Sequence, residues 1–214
     1  MPDLSFQIEG AEVASLAATP TIILKLRINN ADPGESIQGV ALRCQIQIEV
    51  TRRRYSAEDQ RKLRDLFGEP ERWGQTLKNL LWTHVSVNVP PFQNSTVAEV
   101  PVPCTFDFNV AATKYFHGLG QGEVPLCVMF SGSVFYSREG SSMQVAPISW
   151  DKETRCRLPV QVWKDMMDAY YPGNAWLSLR RDVFERLYDY KVRNGIPTWE
   201  EAFENMLAAE EVRS

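Results

Sequence analysis

The stretch Val40 to Val50, VALRCQIQIEV, alternates apolar and polar residues along its whole length. Val40, Leu42, Cys44, Ile46, Ile48 and Val50 fall on one side, and Ala41, Arg43, Gln45, Gln47 and Glu49 on the other. Successive side chains of an extended chain point to opposite faces, so this stretch predicts a half-buried antiparallel strand with one wet face.

The same period recurs outward in both directions. Leu4, Phe6 and Ile8 form one stripe, and Ile22, Leu24, Leu26 and Ile28 form another. Val85, Val87 and Val89 follow, then Val100, Val102, Cys104, Phe106 and Phe108, then Leu126, Val128, Phe130, Val134 and Tyr136, with a shorter stripe at Met143 and Val145. Turn signals such as Asn30-Ala31-Asp32-Pro33-Gly34 and Glu139-Gly140 separate them. About seven strands of this kind predict a β-sandwich.

Helical signals interrupt the pattern. Ser56 followed by Asp59 reads as an N-cap ahead of Leu63, Leu66 and Phe67, with Gly68 as the stop. Pro70 opens a second short helix carrying Trp73, Leu77 and Leu80, and Val110 to Phe116 predicts a third that closes at Gly118. From Leu158 the period becomes helical. Pro159 opens a helix with Val160, Trp163, Met166, Met167 and Tyr170, which Pro172-Gly173-Asn174 ends. Ser178 reads as the cap of the next helix, with Val183, Phe184, Leu187 and Tyr190 as its stripe and Asn194-Gly195 as its stop, and Thr198 with Glu201 reads as a capping box for the last. The fold class read from the sequence is α+β: an antiparallel β-sandwich over residues 1–157 with a helical hairpin inserted at about 56–80, and a three-helix arm over 158–214 packed on it.

Composition excludes several functions. With 214 residues, 44% of them hydrophobic and 23% charged, the chain can bury a self-sufficient core. A net charge of −4 supplies no basic field for a phosphate backbone, so nucleic acid is not an expected partner. The start, MPDLSFQIEGAEV, has no basic leader and no long apolar run, and no other segment has the apolar length of a membrane span. These features predict a cytoplasmic protein without direct membrane insertion. Cys44, Cys104, Cys127 and Cys156 form no C-x-x-C pair, which fits reduced thiols, a cross-strand disulfide being the alternative.

The candidate chemical motifs are weak in their contexts. His84 and His117 are the only histidines, and neither sits in a metal-ligand spacing. Gly118-Leu119-Gly120-Gln121-Gly122 has a phosphate-loop composition, but a helix precedes it and a strand follows, the reverse of what a phosphate cradle needs. The segment FSGSVFY, Phe130 to Tyr136, offers serines without a G-x-S-x-G elbow or a base. Glu200 and Glu201 suit the first turn of a helix, and Arg52-Arg53-Arg54 alone reads as a solvated face. No catalytic residue, cofactor or metal ligand is assigned.

What remains is an aromatic surplus in the arm, where Trp163, Tyr170, Tyr171, Trp176, Tyr188, Tyr190 and Trp199 cannot all face one seam. Tyrosine and tryptophan are enriched where one protein anchors on another. Tyr170, Tyr171, Trp176, Arg180, Arg181, Tyr188 and Trp199 are the partner-binding candidates, with Pro90-Pro91-Phe92 as a second place for a contact. The segment YYPGNAWLSLRRDVFERL reads first as hinge and anchor of the arm. A second reading is an enzyme or small-ligand binder whose aromatic pocket lies between sandwich and arm, polarised by Arg180, Arg181, Asp182 or His84. A third is a homo-oligomer joined through sheet edges.

The segments KYFHGLGQGEVPL, FSGSVFY, ISWDKE, LPVQVWKDMMDAYYPGNAWLSL and GIPTWEEAF resemble an uncharacterised, mainly actinobacterial protein family found in gene neighbourhoods of nickel-iron hydrogenase and its maturation factors. The resemblance covers most of the chain from about Ala98 onward. It implies an accessory or assembly protein for that enzyme, with hydrogenase subunits or maturation factors as partners. It supplies no catalytic residues, and the chain has no cysteine pairs that would ligate nickel or an iron-sulfur cluster.

Overall fold

The computed structural model describes residues 2–32, 34–105, 109–138, 142–175 and 177–211. Among them are eight strands: β1 Leu4–Val13, β2 Thr21–Asn30, β3 Glu35–Ile48, β4 Leu80–Val89, β5 Ser95–Pro103, β6 Glu123–Arg138, β7 Gln144–Pro147 and β8 Glu153–Pro159. The helices are α1 Ala57–Lys62, α2 Arg64–Phe67, α3 Trp73–Thr76, α4 Val110–Gly118, α5 Val160–Tyr170, α6 Arg181–Arg193 and α7 Trp199–Glu211. The strands form two antiparallel sheets, one ordered β1-β2-β5 and one ordered β4-β3-β6-β7, with β8 also paired to β6. The protein is thus α+β and sandwich-like. None of these helices is long and apolar enough to cross a membrane.

The alternating stripes become the core because each buries its apolar face. Ile22, Leu24, Leu26 and Ile28 of β2 and Leu42, Cys44, Ile46 and Ile48 of β3 are all buried. Each large aliphatic side chain so buried contributes roughly 1.5–3 kcal/mol relative to exposure. Phe6 of β1 stacks on Phe130 of β6 with ring centroids 4.3 Å apart, joining the two sheets.

Strand β6 is the spine of the larger sheet. It pairs with β3 along nearly its whole length, while its other edge is shared, Glu123 to Met129 pairing with β8 and Ser133 to Tyr136 with β7. Gly132 sits at the changeover with φ +133. A Cβ there would lie 2.0 Å from the carbonyl oxygen of Ala41, so the close approach of β3 and β6 requires glycine. This is a structural reason for the glycine in FSGSVFY.

A second core lies under the helical insertion. Tyr115 and Phe116 of α4 are fully buried; Tyr115 meets Phe67, and Phe116 stacks on Trp163 of α5 at 5.6 Å and leans on Trp82 of β4 at 5.0 Å. Tyr55 completes the cluster, its hydroxyl 2.9 Å from that of Tyr115 and donating to the Val50 carbonyl.

Several expectations are corrected. The β3 stripe stops at Ile48, and Val50 is buried in a short 3-10 turn. Phe106 and Phe108, read as the end of a stripe, and Glu139-Gly140, read as a turn, lie outside the described residues. Met143 and Val145 face outward and Ala146 faces in, because Ala146 is the register partner of buried Val134. Leu80 belongs to β4 and not to the preceding helix, whose turn ends at Thr76. Strand β8 was not expected. Ser178 does not cap the next helix, which starts at Arg181 with Arg180 at its N-cap and no side-chain cap.

The chain divides into two compact units, Met1–Gly173 and Asn174–Ser214. Helix α5 belongs to the first, so the change of period at Leu158 and the boundary between units fall at different places. Replacing Gly132 with Ala is expected to cost about 3 kcal/mol or more, through backbone strain and the displaced Ala41 carbonyl. A urea-unfolding midpoint measured beside Gly39→Ala, where a Cβ would meet its neighbour at 3.4 Å, checks that the cost belongs to the changeover.

Candidate functional site

The second unit contains a helix pair, α6 and α7, joined by a turn in which Gly195 takes φ +64 and Ile196 N–H donates to the Lys191 carbonyl. Aromatic spacing on the two helices brings Phe184, Tyr188, Trp199 and Phe203 together. Phe184 lies 5.4 Å from Trp199, Tyr188 lies 6.3 Å from it, and the Lys191 ammonium stands over its ring at 5.8 Å. Helix α6 buries none of its residues, and α7 buries only Ala202. Leu177 is 66% exposed, Tyr188 51%, Val192 58% and Leu207 62%.

The expected site residues are distributed as follows. Tyr188 and Trp199 meet in this cluster. Arg180 and Arg181 are exposed at the start of α6 and pair with Asp182 at 3.0 Å and Glu185 at 2.8 Å, local ion pairs on the surface. Tyr170 lies in the first unit, where its hydroxyl donates to the Ala17 carbonyl at 2.8 Å and anchors α5 to the turn between β1 and β2. Tyr171 caps α5, half-buried, with its N–H on the Met167 carbonyl. Trp176 lies outside the described residues. Phe92 is tied into the sheet by paired backbone hydrogen bonds with Ile37 at 3.0 Å. His84 shares a hydrogen bond with Gln45 on the wet face of β4.

The fold also joins two motifs that were set aside separately in the sequence. Arg52-Arg53-Arg54, in the turn after β3, and Gly120-Gln121-Gly122, in the loop before β6, line one open cavity of about 1,120 Å³, with Arg157 of β8 on its wall. Arg53 braces it. Its guanidinium donates to the carbonyls of Gln121 at 2.6 Å and Glu123 at 2.7 Å and lies 3.7 Å from the Asp59 carboxylate, with both side chains 8% exposed. Asp59 in turn accepts from Gly120 N–H at 2.8 Å and closes the capping box with Ser56. Lys164 of α5 donates to the Gly120 carbonyl. The glycine loop is therefore a held wall. Neither motif was informative alone, because sequence gives no sign that residues some seventy positions apart share a cavity.

The cysteines are free thiols, Cys44, Cys104 and Cys127 buried and Cys156 partly so, with Cys127 beside the Glu153 carboxylate. Burial pushes Cys44 and Cys104 up to about 12 and Cys156 up to about 11, and it also raises Cys127. A thiol held protonated is a poor nucleophile. Among the described residues no group of three or more histidine, cysteine and acidic side chains could hold a metal ion.

A family model described as a family of unknown function, DUF6084, matches residues 1–214. No curated protein matches the chain. A crystal structure of a protein assigned as ApaA from Bordetella pertussis is similar over 74% of this chain and 95% of that one, with 12% identity and a TM-score of 0.26, a likeness that carries no argument about fold or function.

The raised thiols fix the sign of a pH dependence. Folded pKa values above the ordinary 9.0 mean that the native state keeps protons the unfolded chain releases, so their contribution is complete below about pH 9 and is lost as pH rises toward about 12. Urea midpoints are expected to fall between about pH 8 and about pH 10.5, and to fall less in a Cys44→Ala, Cys104→Ala variant, whose buried positions no longer titrate.

Proposed function

The chain belongs to the DUF6084 family of unknown function, and we propose that it is a non-catalytic accessory protein that binds a partner protein through the helix pair α6 and α7. The observation that carries this reading is the composition of the pair's exposed surface. An α6 without a buried residue carries half-exposed Tyr188 beside the Trp199 cluster, while Leu177, Val192 and Leu207 are more than half exposed. Clustered aromatic side chains with a nearby cation supply large contact area at low conformational cost, the chemistry of interface anchors. Arg180 at the α6 N-cap, Arg181 and Arg186 on α6, and Glu200, Glu201 and Glu204 on α7 give the pair charges of both signs, which would favour a partner of complementary charge pattern.

The partner is proposed to be a subunit or maturation factor of a nickel-iron hydrogenase, as the sequence resemblance implies, with the protein acting in the cytoplasm. The role is assembly or accessory: His84 shares its ring nitrogen with Gln45, and burial holds the Cys44 and Cys104 thiols protonated, so these groups supply no activated nucleophile.

Affinity capture with the tagged protein is expected to retain hydrogenase components. A Tyr188→Ala, Val192→Ser variant, altered at exposed positions and keeping the parent's unfolding midpoint, is expected to weaken that complex roughly 30-fold or more, as truncation of an interface anchor does. Equal retention by the variant would remove the helix pair as the binding surface. Capture of an unrelated protein through the same residues would remove the hydrogenase assignment.

A further inference from the structure

We propose that the cavity between Arg52-Arg53-Arg54 and Gly120-Gln121-Gly122 binds a small soluble polyanion with adjacent phosphate groups. The cavity lies within the first unit, apart from the residues assigned to the helix pair.

The positive and negative groups of the cavity are not equivalent. Four arginines and three carboxylates line it, but two of the carboxylates are engaged. Asp59 is buried against Arg53 and two backbone N–H groups, and Glu58 pairs with Lys62 at 2.8 Å; Glu123, half exposed, meets Arg157 only loosely at 3.8 Å. The arginine heads are far less engaged. Arg54 is exposed and makes no hydrogen bond or ion pair among the described residues. Arg52 and Arg157 are 59% and 66% exposed and make only loose ion pairs, at 3.4 Å with Glu49 and at 3.8 Å with Glu123. Arg53 is spent on the loop and holds the two walls together. Three guanidinium groups thus keep donors for a ligand while a buried fourth fixes the frame. Forked, permanently charged donors are the groups that recognise phosphate oxygens.

Size and lining narrow the ligand further. At about 1,120 Å³ the cavity exceeds the needs of a single oxyanion and is of the size of small-molecule sites. Among the described residues its lining has no aromatic side chain on which a base could stack, and Ala57 is the one aliphatic residue. Recognition therefore falls on the charge of the ligand and not on an apolar portion.

Titration calorimetry of the full chain with tripolyphosphate, ATP, adenosine and citrate tests this. The expected result is binding of tripolyphosphate and ATP with similar affinity, none of adenosine, citrate weaker by about tenfold or more, and weakening as salt rises from about 50 to about 200 mM. An Arg54→Ala, Arg157→Ala variant changes only exposed side chains and is expected to bind tripolyphosphate at least about tenfold more weakly with an unchanged unfolding midpoint. Arg53→Ala is not used alone, because loss of the brace would confound binding with folding. The proposal is overturned by absence of tripolyphosphate binding at about 1 mM, by unchanged affinity in the double variant, by citrate binding as tightly, or by ATP binding at least about tenfold more tightly than tripolyphosphate.

Discussion

The close passage of β6 over β3 at Gly132 is the constraint on which the larger sheet depends. A Cβ at Gly132 would fall 2.0 Å from the Ala41 oxygen, and at this residue β6 exchanges β8 for β7 as its second partner. Without that point of exchange, one strand could not serve three neighbours. The pairing with β8 leads directly into α5, since Pro159 ends the strand and Val160 begins the helix, whose Trp163 and Met166 are buried in the core. The strand that passes over β3 at Gly132 thus also pairs with the strand that leads into α5.

The helical insertion depends on a different kind of interaction. Its helices are too short to be stable alone, since a first turn costs more entropy than a few hydrogen bonds return. Their stability is tertiary: Leu63, Phe67 and Trp73 are buried against the Tyr115 and Phe116 cluster, and the Ser56 and Asp59 capping box satisfies the first turn. Asp59 does more than cap, because its other oxygen binds the Gly120 amide and its charge offsets that of Arg53. A buried ion pair seldom adds net stability over an apolar contact, but removing one member strands the other charge. Asp59 and Arg53 are therefore best understood as fixing geometry, since together they hold the insertion, the arginine turn and the glycine loop in one arrangement.

Much of this fold was legible because period-two burial is a local property. The β2 and β3 stripes needed only their own alternation, and the Ser56 N-cap and the breaks at Gly68 and Gly195 needed only local turn chemistry. The misreadings arise where a distant partner decides. Val145 is more apolar than Ala146, yet the register with Val134 turns the alanine inward and leaves the valine exposed. Strand β8 does alternate, with Thr154, Cys156 and Leu158 set against Glu153, Arg155 and Arg157, but its charged positions and the helix signal at Pro159 obscured it. The aromatic residues of the candidate surface were visible by type. That Tyr170 would spend its hydroxyl on the Ala17 carbonyl was not, because that contact spans most of the chain.

The same limit applies more sharply to the arginine cavity. A triplet of arginines is ambiguous in sequence because its meaning depends on which carboxylates meet it and which of its members remain unsatisfied. Here the central arginine is consumed by two carbonyls and a buried carboxylate, and its neighbours on either side remain at the surface. The change of backbone produces this division, since Arg52 ends a 3-10 turn and Arg53 is extended, so their side chains leave the chain in different directions. A run of like charges that would repel as a solvated face becomes a frame and its ligand-facing groups once one member is buried and paired. The information that distinguishes the two states lies in Asp59 and in the loop carbonyls, not in the arginines themselves.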